Sequence, residues 1–275
     1  MTATPHSKAA ALQALHQSAT AFIIPNAWDA GSARLLQGIG FAALATSSGA
    51  AAMALGRRDG QLTREEAIAH GRALAQAVDI PVSADLENGF GDSPQDAALT
   101  VRMAGEAGLA GGSIEDSNGN TDKPLYDINH AADRVAAAVE AARALGFPFQ
   151  LTARAENFFR GKPDLDDTIA RLQAYEKAGA DVLFAPALPD LAAVRAVCSA
   201  VTKPVNFMVA IPGKSFTVAE LQAAGVRRIS LATSLYRVAM SGLLDAAREV
   251  KDHGTFSYLD KGSATGELVK LMKGD

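Results

Sequence analysis

The stretch VSADLENGFGDSPQDAALTVRMAGEAGLAGGSIED, residues 82–116, contains one complete repeat of the pattern that decides the fold. Its first residues, Val82 to Leu86, form an apolar run of strand length that breaks off into Glu, Asn, Gly and Asp. An amphipathic segment from Pro94 to Ala107 follows, with apolar residues at spacings of three and four. A second short run, Gly111 to Glu115, then ends in Asp116. This order predicts two parallel strands joined by a crossover helix.

The same alternation extends in both directions and yields eight candidate strands. Eight such units in about 250 residues favour a closed α/β barrel of the (β/α)8 TIM type over an open, doubly wound sheet, which usually carries about five or six strands. Further helices are expected at Thr63 to Val78, Ala131 to Leu145, Leu165 to Ala178, Leu191 to Ala200 and Val218 to Ala224. The strands are Phe22 to Asn26, Ala43 to Ser47, Val82 to Leu86, Gly111 to Glu115, Gln150 to Arg154, Val182 to Ala185, Val205 to Val209 and Arg228 to Ala232.

Five predicted helices end in a glycine just before the next strand. A glycine there adopts the left-handed conformation that ends a helix without steric cost. No GxGxxG or GxxxxGK[ST] motif follows the first strand, which argues against a nucleotide-binding fold. The five residues are Gly40, Gly108, Gly146, Gly179 and Gly225.

Composition and charge narrow the class of partner. The chain has 275 residues, is 48% hydrophobic and 20% charged, and has a net charge of -4, so a single barrel domain over residues 1–275 is expected. This balance attracts neither nucleic acid nor an anionic membrane, and small molecules are the expected partners. No apolar run is long enough to cross a bilayer, and the N-terminal segment is too polar for a signal peptide. With Cys198 as its one cysteine, the protein is predicted to be cytoplasmic.

Beyond the eighth strand lies more chain than a barrel needs. The segment from Ser234 to His253 is followed by a loop and one more amphipathic helix. Such terminal helices commonly seal a barrel end or pack on another subunit.

Four acidic residues stand at or just after strand ends: Asp59, Asp85, Glu87 and Glu115. The carboxyl ends of all barrel strands point into one mouth, so these carboxylates are expected to converge there. Asp85 and Glu87 are two residues apart, which places both on one face of a strand. Facing carboxylates need a cation, and oxygen ligands favour Mg²⁺ or Mn²⁺. A metal-assisted enzyme is the leading interpretation.

Plainer interpretations of these acids stay open. Asp85 and Glu87 could cap the helix that starts near Ser93, and Glu115 could belong to a solvated loop. The charged segment GRRDGQLT, taken alone, predicts that Asp59 is a solvent-exposed loop residue.

Two other segments bring binding groups to the same mouth. Arg154 ends the fifth strand in LTARAENFF, where a guanidinium suits a substrate carboxylate or phosphonate; the alternative is an ion pair with one of the acids. Ser47, Ser48 and Gly49 end the second strand in TSSGAA. Their small size lets backbone N–H groups approach a ligand oxyanion, and the alternative is a tight turn.

Seven segments carry a resemblance that spans nearly the whole chain. They are PNAWDAGSARLLQGIGF, SSGAAAMALGRRDGQLTREE, PVSADLENGFGD, GSIEDS, LTARAEN, AGADVLFAPAL and GVRRISLATS. In order and spacing they resemble the isocitrate lyase/phosphoenolpyruvate mutase superfamily. The resemblance implies a Mg²⁺-dependent (β/α)8 barrel that acts on 2-oxo or 2-hydroxy carboxylates through enolate-like species. It also implies a homodimer or homotetramer, with the last barrel helix exchanged between subunits.

The same resemblance implies a metal site with one direct ligand. Asp85 matches the direct ligand, while Asp59, Glu87 and Glu115 match residues that hold the ion through water. Glu87 stands where the family usually has an aspartate, and its longer side chain is compatible with a contact through water.

For the substrate, the resemblance assigns a binding loop and an arginine. Ser48, Gly49 and Ala50 match the loop that binds the substrate carboxylate and carbonyl oxygen. Arg154 matches the arginine that contacts the substrate.

Departures from the family pattern concern the proton donor and the outer substrate contacts. Where lyases carry KKCGH, with a cysteine that protonates the departing carbanion, this chain has SNGNTDKPLYD, residues 117–127. Lys123, Tyr126 and His130 are candidates to replace that acid; Arg154, Asp59 and Lys123 form the predicted catalytic set. Pro186 replaces a lyase glutamate, and NFMVAIPGK, residues 206–214, replaces a block that recognises further substrate carboxylates.

The sequence therefore predicts a lyase that cleaves a C–C bond in a hydroxylated di- or tricarboxylate of the isocitrate or methylisocitrate type. A hydrolase or decarboxylase of a small 2-oxo acid, such as oxaloacetate or a phosphonopyruvate, is the alternative. A non-catalytic 2-oxo acid binder is the third possibility.

Overall fold

Eight parallel strands form the centre of the molecule. The computed structural model describes residues 3–273, and its strands follow one another around the sheet in chain order. The first and second strands are joined by a bridge between Asn26 and Ala45, which closes the barrel. The strands are β1 Phe22–Ile24, β2 Leu44–Ala45, β3 Val82–Asp85, β4 Gly111–Glu115, β5 Gln150–Arg154, β6 Val182–Phe184, β7 Val205–Met208 and β8 Arg228–Ser230. The predicted (β/α)8 barrel is confirmed.

Eleven α-helices accompany the strands within the described residues. Side-chain caps fix many of their starts: Ser93, for example, accepts from the Asp96 N–H, and the Asp96 carboxylate accepts from the Ser93 N–H. The helices are α1 Pro5–Gln17, α2 Ala30–Ile39, α3 Ser48–Ala54, α4 Arg64–Ala77, α5 Pro94–Glu106, α6 Ile128–Arg143, α7 Leu165–Lys177, α8 Leu191–Ala200, α9 Val218–Ala223, α10 Ser234–His253 and α11 Thr265–Lys273. A 3-10 helix, Ser257–Lys261, lies between the last two.

The five glycines expected to end helices all have a positive φ, from 75° at Gly146 to 104° at Gly40. Most strands are shorter at their carboxyl ends than the sequence predicts. The second strand ends at Ala45 because Ser47 already caps α3. Residues after each strand leave the ladder early and become the loops of the mouth.

The C-terminal helices differ in how they pack. Helix α11 lies against α2, so closely that a Cβ on Gly38 would stand 2.3 Å from the backbone oxygen of Leu271. Helix α10 buries only Tyr236. None of the helices described is long and apolar enough to span a membrane.

Candidate active site

A cavity of about 390 Å³ opens at the carboxyl ends of the strands. Below it, inside the barrel, lies a second space of about 50 Å³. Asp85, Arg154, Met208 and Ala232 line both spaces, which shows that they are contiguous. The upper cavity is lined by Ser47, Ser48, Asp59, Gly60, Asp85, Glu87, Glu115, Arg154, Phe159, Arg160, Met208, Ala210, Ile211, Ala232, Thr233 and Arg237. All four predicted acids and Arg154 are therefore brought together.

Asp85 holds the last position of β3 at the floor of this cavity. Its Oδ2 accepts from the Ser48 N–H at 3.2 Å and from the Ser48 hydroxyl at 3.1 Å. Its own N–H donates to Thr46 Oγ1 at 2.8 Å. These bonds hold the carboxylate toward the cavity and the start of α3 rather than toward the start of α5, so Asp85 does not cap α5.

Glu87 reaches the cavity by a route that strand periodicity does not predict. The strand ends at Asp85, and Glu87 has a φ of 49°, in the left-handed region that residues with a Cβ rarely adopt. Its Oε1 is buried without a hydrogen-bond partner among the described residues. Burial and the nearby charges of Asp85 and Asp59 raise the pKa of Glu87 to about 7.

Arg154 lies at the centre of a cluster of carboxylates. Its Nη1 is 3.4 Å from Glu115 Oε2 and 3.8 Å from Asp85 Oδ1, and its Nε donates to Glu156. Burial opposes the charge on this guanidinium, but the three carboxylates raise the pKa of Arg154 above its ordinary value. The arginine therefore stays charged, and the ion pairs left open by the sequence are present.

Two members of this cluster, Glu156 and Arg160, were not predicted from the sequence. Arg160 Nη2 donates to Glu115 at 2.9 Å, and Arg160 Nε is 3.1 Å from Glu156 Oε2. Burial and the neighbouring Glu156 carboxylate raise the pKa of Glu115. The only available signal was the abrupt change from an apolar strand to the charged segment ENFFRGK.

A third arginine, Arg228, lies inside the barrel below Asp85. It donates to Thr152 Oγ1 at 3.1 Å. Burial lowers the pKa of Arg228 to about 10, with Asp85 acting in the opposite direction, so it remains charged at neutral pH. No pattern in the sequence indicated a role for it at the mouth.

The predicted substrate loop has a different form from the one expected. Ser48, Gly49 and Ala50 are the first turn of α3 rather than a loop, and the Ser47 side chain accepts from the Ala50 N–H at 3.3 Å. Ser48 faces the cavity, while Gly49 and Ala50 are buried. A Cβ on Gly49 would lie 3.3 Å from the Asp59 carboxyl carbon, so glycine permits the exposed Asp59 loop to close over this turn.

The candidates for the missing proton donor lie away from the cavity lining. Lys123 is exposed and lines a separate outer groove with Asp164 and Arg171. Tyr126 donates to Asp92 at 2.5 Å, and His130 contacts the Asp92 carbonyl at 2.8 Å. Tyr126 and His130 therefore support the loop after β3, and Lys123 belongs to the loop after β4. A role for Lys123 stays a prediction that requires its loop to move.

The predicted metal site can be tested against the charges present. Around Arg154 and Arg160 stand the carboxyl groups of Asp59, Asp85, Glu87, Glu115 and Glu156, so acidic groups outnumber the two guanidinium groups. Within residues 3–273, no group of three or more His, Cys, Asp or Glu side chains is spaced to hold an ion directly. The residues fit Mg²⁺ or Mn²⁺ only with water between most carboxylates and the ion, as Mg²⁺ commonly binds. The buried, unpartnered Glu87 oxygen agrees with such a cation.

The mouth thus has two sides of different chemistry. The charged side consists of Ser48, Asp59, Asp85, Glu87, Glu115, Arg154 and Arg160, which follow β2 to β5. The apolar side consists of Met208, Ala210, Ile211 and Ala232, which end or follow β7 and β8.

Comparison with known proteins agrees with this arrangement. The phosphoenolpyruvate phosphomutase family model matches residues 12–251. The 2-methylisocitrate lyase of Escherichia coli (strain K12) is 30% identical over 278 residues, covering 97% of this chain and 93% of that protein.

Solved structures extend the comparison. A Burkholderia cenocepacia J2315 protein, provisionally assigned as a lyase or mutase, is 48% identical with a TM-score of 0.94, covering 97% of this chain and 95% of the other. A 2,3-dimethylmalate lyase is 26% identical with a TM-score of 0.87, covering 96% and 94%. The chain therefore belongs to the isocitrate lyase/phosphoenolpyruvate mutase superfamily, an enzyme family of lyases and mutases.

Proposed function

We propose that this enzyme is a Mg²⁺-dependent lyase that cleaves a C–C bond in a hydroxylated di- or tricarboxylate and releases a 2-oxo acid. The observation that carries the proposal is the convergence of Asp85, Glu87, Glu115 and Arg154 on one cavity at the strand ends. Bound there, Mg²⁺ would act as a Lewis acid toward the developing enolate charge. The named lyases among the relatives support this class of reaction.

Different residues of the charged side are proposed to bind the metal and the substrate. Asp85 is the proposed direct metal ligand, because its carboxylate is fixed by Ser48 and lies at the cavity floor. The first turn of α3 would receive the carboxylate and carbonyl oxygens of the substrate. The Ser48 hydroxyl, which here donates to Asp85, would donate to a substrate oxygen once Asp85 binds the metal. Arg154 would neutralise remaining negative charge, although three carboxylates already contact it.

Cleavage next to a carbonyl also needs a proton for the departing carbanion. Residues 117–127 contain no cysteine, so the usual lyase acid is missing from that loop. The block that recognises further substrate carboxylates is also replaced, at residues 206–214, and this favours one second candidate with a smaller substrate. That candidate is hydrolysis or decarboxylation of a small 2-oxo acid, in which the carbanion left on the product takes its proton from water. Asp59, exposed at the rim of the cavity, remains a proposed catalytic residue.

One experiment separates these reactions. The protein with Mg²⁺ is incubated with 2-hydroxy and 2-oxo acids, and the products are followed by NMR. Two carbon fragments formed from a 2-hydroxy acid support the lyase. CO₂, phosphate or hydrolysis products formed from a 2-oxo acid support the second candidate. Line broadening without any product would identify a non-catalytic binder and contradict both.

We also propose that the protein is a homodimer or homotetramer. Three apolar side chains of α10 are at least half exposed: Val238, Leu243 and Leu244, at 70%, 60% and 50%. A second copy would cover this face, since exposed patches of this kind mark interfaces.

Light scattering at micromolar protein should show a dimer or tetramer. Leu243→Asp should shift the population toward the monomer, whereas Ile39→Asp, equally exposed on α2, should not. Removal of residues from Ser234 onward should give insoluble barrels. A well-behaved monomer of the full chain would contradict the proposal.

A further inference from the structure

The apolar side of the mouth offers little to a charged group. Among the lining residues that end or follow β7 and β8, five are uncharged: Met208, Ala210, Ile211, Ala232 and Thr233. The remaining one, Arg237, is exposed, and its Nη1 is 3.5 Å from the Ala210 carbonyl. A charge so exposed is screened by solvent, so it would attract a distant carboxylate only weakly.

The apolar side is held in place by packing and hydrogen bonds. Met208, the last residue of β7, is 9% exposed. The carbonyl of Ile211 accepts from the Lys214 N–H and the Ser215 hydroxyl, both at 3.1 Å. Directly after Ser215, the Phe216 ring packs 5.8 Å from the Phe207 ring. The Ile211 side chain is therefore presented by a fixed turn at the cavity wall.

The lower part of the same wall continues into the barrel. Met208 and Ala232 line both the upper cavity and the small space beneath it, and Phe184 joins them in the lower one. Deeper in the lower space the wall becomes polar, with Asn206, Arg228 and Ser230. The Phe184 ring lies under Arg154, with 5.1 Å between the ring centre and the guanidinium carbon. A ligand that touches Arg154 thus has aromatic and aliphatic surface next to it.

The balance of charge strengthens this contrast. Five carboxylates already surround the two arginines of the charged side. Each further carboxylate on a ligand adds repulsion from these groups, and the apolar side of the upper cavity supplies no buried positive charge to offset it. The buried Arg228 lies in the lower space, beneath Asp85. A methyl or methylene group placed there gives up no hydrogen bond, and its removal from water is favourable.

We propose that the apolar side is a subsite for an alkyl chain on carbon 3 of a 2-oxo acid. The substrate is then an alkyl-substituted 2-oxo acid, or the hydroxy acid that releases one, with no carboxylate at that end. The inference rests on the proposed function, because the charged side must hold the 1-carboxylate and carbonyl. It narrows the substrate class to acids without a further carboxylate at this position.

Calorimetric titration with two ligands of equal length tests the subsite. In the presence of Mg²⁺, 2-oxovalerate and 2-oxoglutarate differ only in a terminal methyl against a terminal carboxylate. We expect 2-oxovalerate to bind at least tenfold more tightly. In the series pyruvate, 2-oxobutyrate, 2-oxovalerate, each added methylene should tighten binding about fourfold. Equal or tighter binding of 2-oxoglutarate would overturn the inference.

Variants locate the effect. Ile211→Ser should reduce the preference for 2-oxovalerate over pyruvate at least threefold while pyruvate still binds. The matched control Val218→Ser, an exposed residue of α9 outside the cavity lining, should leave that preference unchanged. A 2-oxoglutarate affinity that exceeds that of 2-oxovalerate and is lost in Arg237→Gln would instead establish a carboxylate subsite at Arg237.

Pyruvate separates failure of the inference from failure of the proposed function. If pyruvate binds but chain length has no effect, the charged side functions as proposed and the alkyl subsite is wrong. If neither pyruvate nor any longer 2-oxo acid binds, the proposed function fails and the subsite fails with it.

Discussion

The two sides of the barrel mouth are built from the same kind of strand end but carry opposite chemistry. On the charged side, Asp85, Glu115 and Arg154 are the last residues of their strands and face one another. On the apolar side, Met208 ends its strand in the same way and offers only a thioether. A residue can contact a ligand at the mouth only if it lies at a strand end or in the segment that follows it. Whether it is charged or apolar then determines whether it takes part in the chemistry or packs against the rest of the substrate.

The largest expected effect concerns the carboxylate at the floor of the charged side. Asp85→Ala should lower activity at least about a thousandfold, equal to about 4 kcal/mol, because it removes the proposed direct ligand of the metal. Calorimetry should show that divalent-ion binding is also lost, and circular dichroism should show an intact fold. The matched control Asp245→Ala changes an exposed carboxylate of α10 and should leave both unchanged. Full activity of the Asp85 variant with excess chelator would refute the metal site.

A smaller effect is expected at the arginine of the same side. Arg154→Lys should weaken the binding of 2-oxo acids by about 1 to 3 kcal/mol, because an ammonium group cannot reproduce the planar, two-pronged hydrogen bonding of a guanidinium. The exposed Arg248→Lys is the control. Titration with pyruvate measures the difference, and unchanged affinity would show that the three carboxylates around Arg154 leave it no role in substrate binding.

Residues of the mouth were predictable from the sequence where local features fix their position, and were not where a loop conformation fixes it. The barrel was predictable because apolar runs and helix-ending glycines such as Gly179 are local features. Asp85 and Arg154 were predictable because they are strand residues whose position follows from the register. Glu156 and Arg160 were not, since their direction depends on how a loop turns after β5. Lys123 faces an outer groove for the same reason.

The start of α3 shows a second limit of the sequence. The family resemblance implied that Ser48 to Ala50 form a loop. The same residues form a helix once the Ser47 side chain caps it. Glu87 shows a third limit of the sequence. Strand alternation predicts that its side chain reaches the mouth as part of β3, but the strand ends at Asp85 and the positive φ of Glu87 turns the side chain there instead.

The smallest expected effect concerns His16, at the other end of the barrel. It should change the pH dependence of folding stability without changing ligand binding. His16 is buried, and burial together with Arg228 lowers its pKa to about 3. Below the ordinary pKa of about 6.5 the unfolded chain takes up a proton that the folded chain does not, so stability falls as pH drops from 6.5 toward 3.

Between pH 7 and pH 5, His16 should therefore cost the folded protein up to about 2 kcal/mol in free energy of unfolding. His16→Leu should remove that part of the acid sensitivity, and the exposed His6→Leu should not. Urea unfolding at the two pH values measures the difference. An identical pH dependence in all three proteins would contradict the assignment, while ligand binding should be unaffected by either change.

The central claim is that the charged side holds a 2-oxo acid together with a divalent cation. Calorimetric titration of the unmodified protein with pyruvate, once with Mg²⁺ and once with excess chelator, tests it most directly. The 1-carboxylate and carbonyl oxygens can chelate Mg²⁺ while accepting bonds from the first turn of α3, so binding should be measurable only when Mg²⁺ is present. Equal affinity with and without Mg²⁺ would contradict the account.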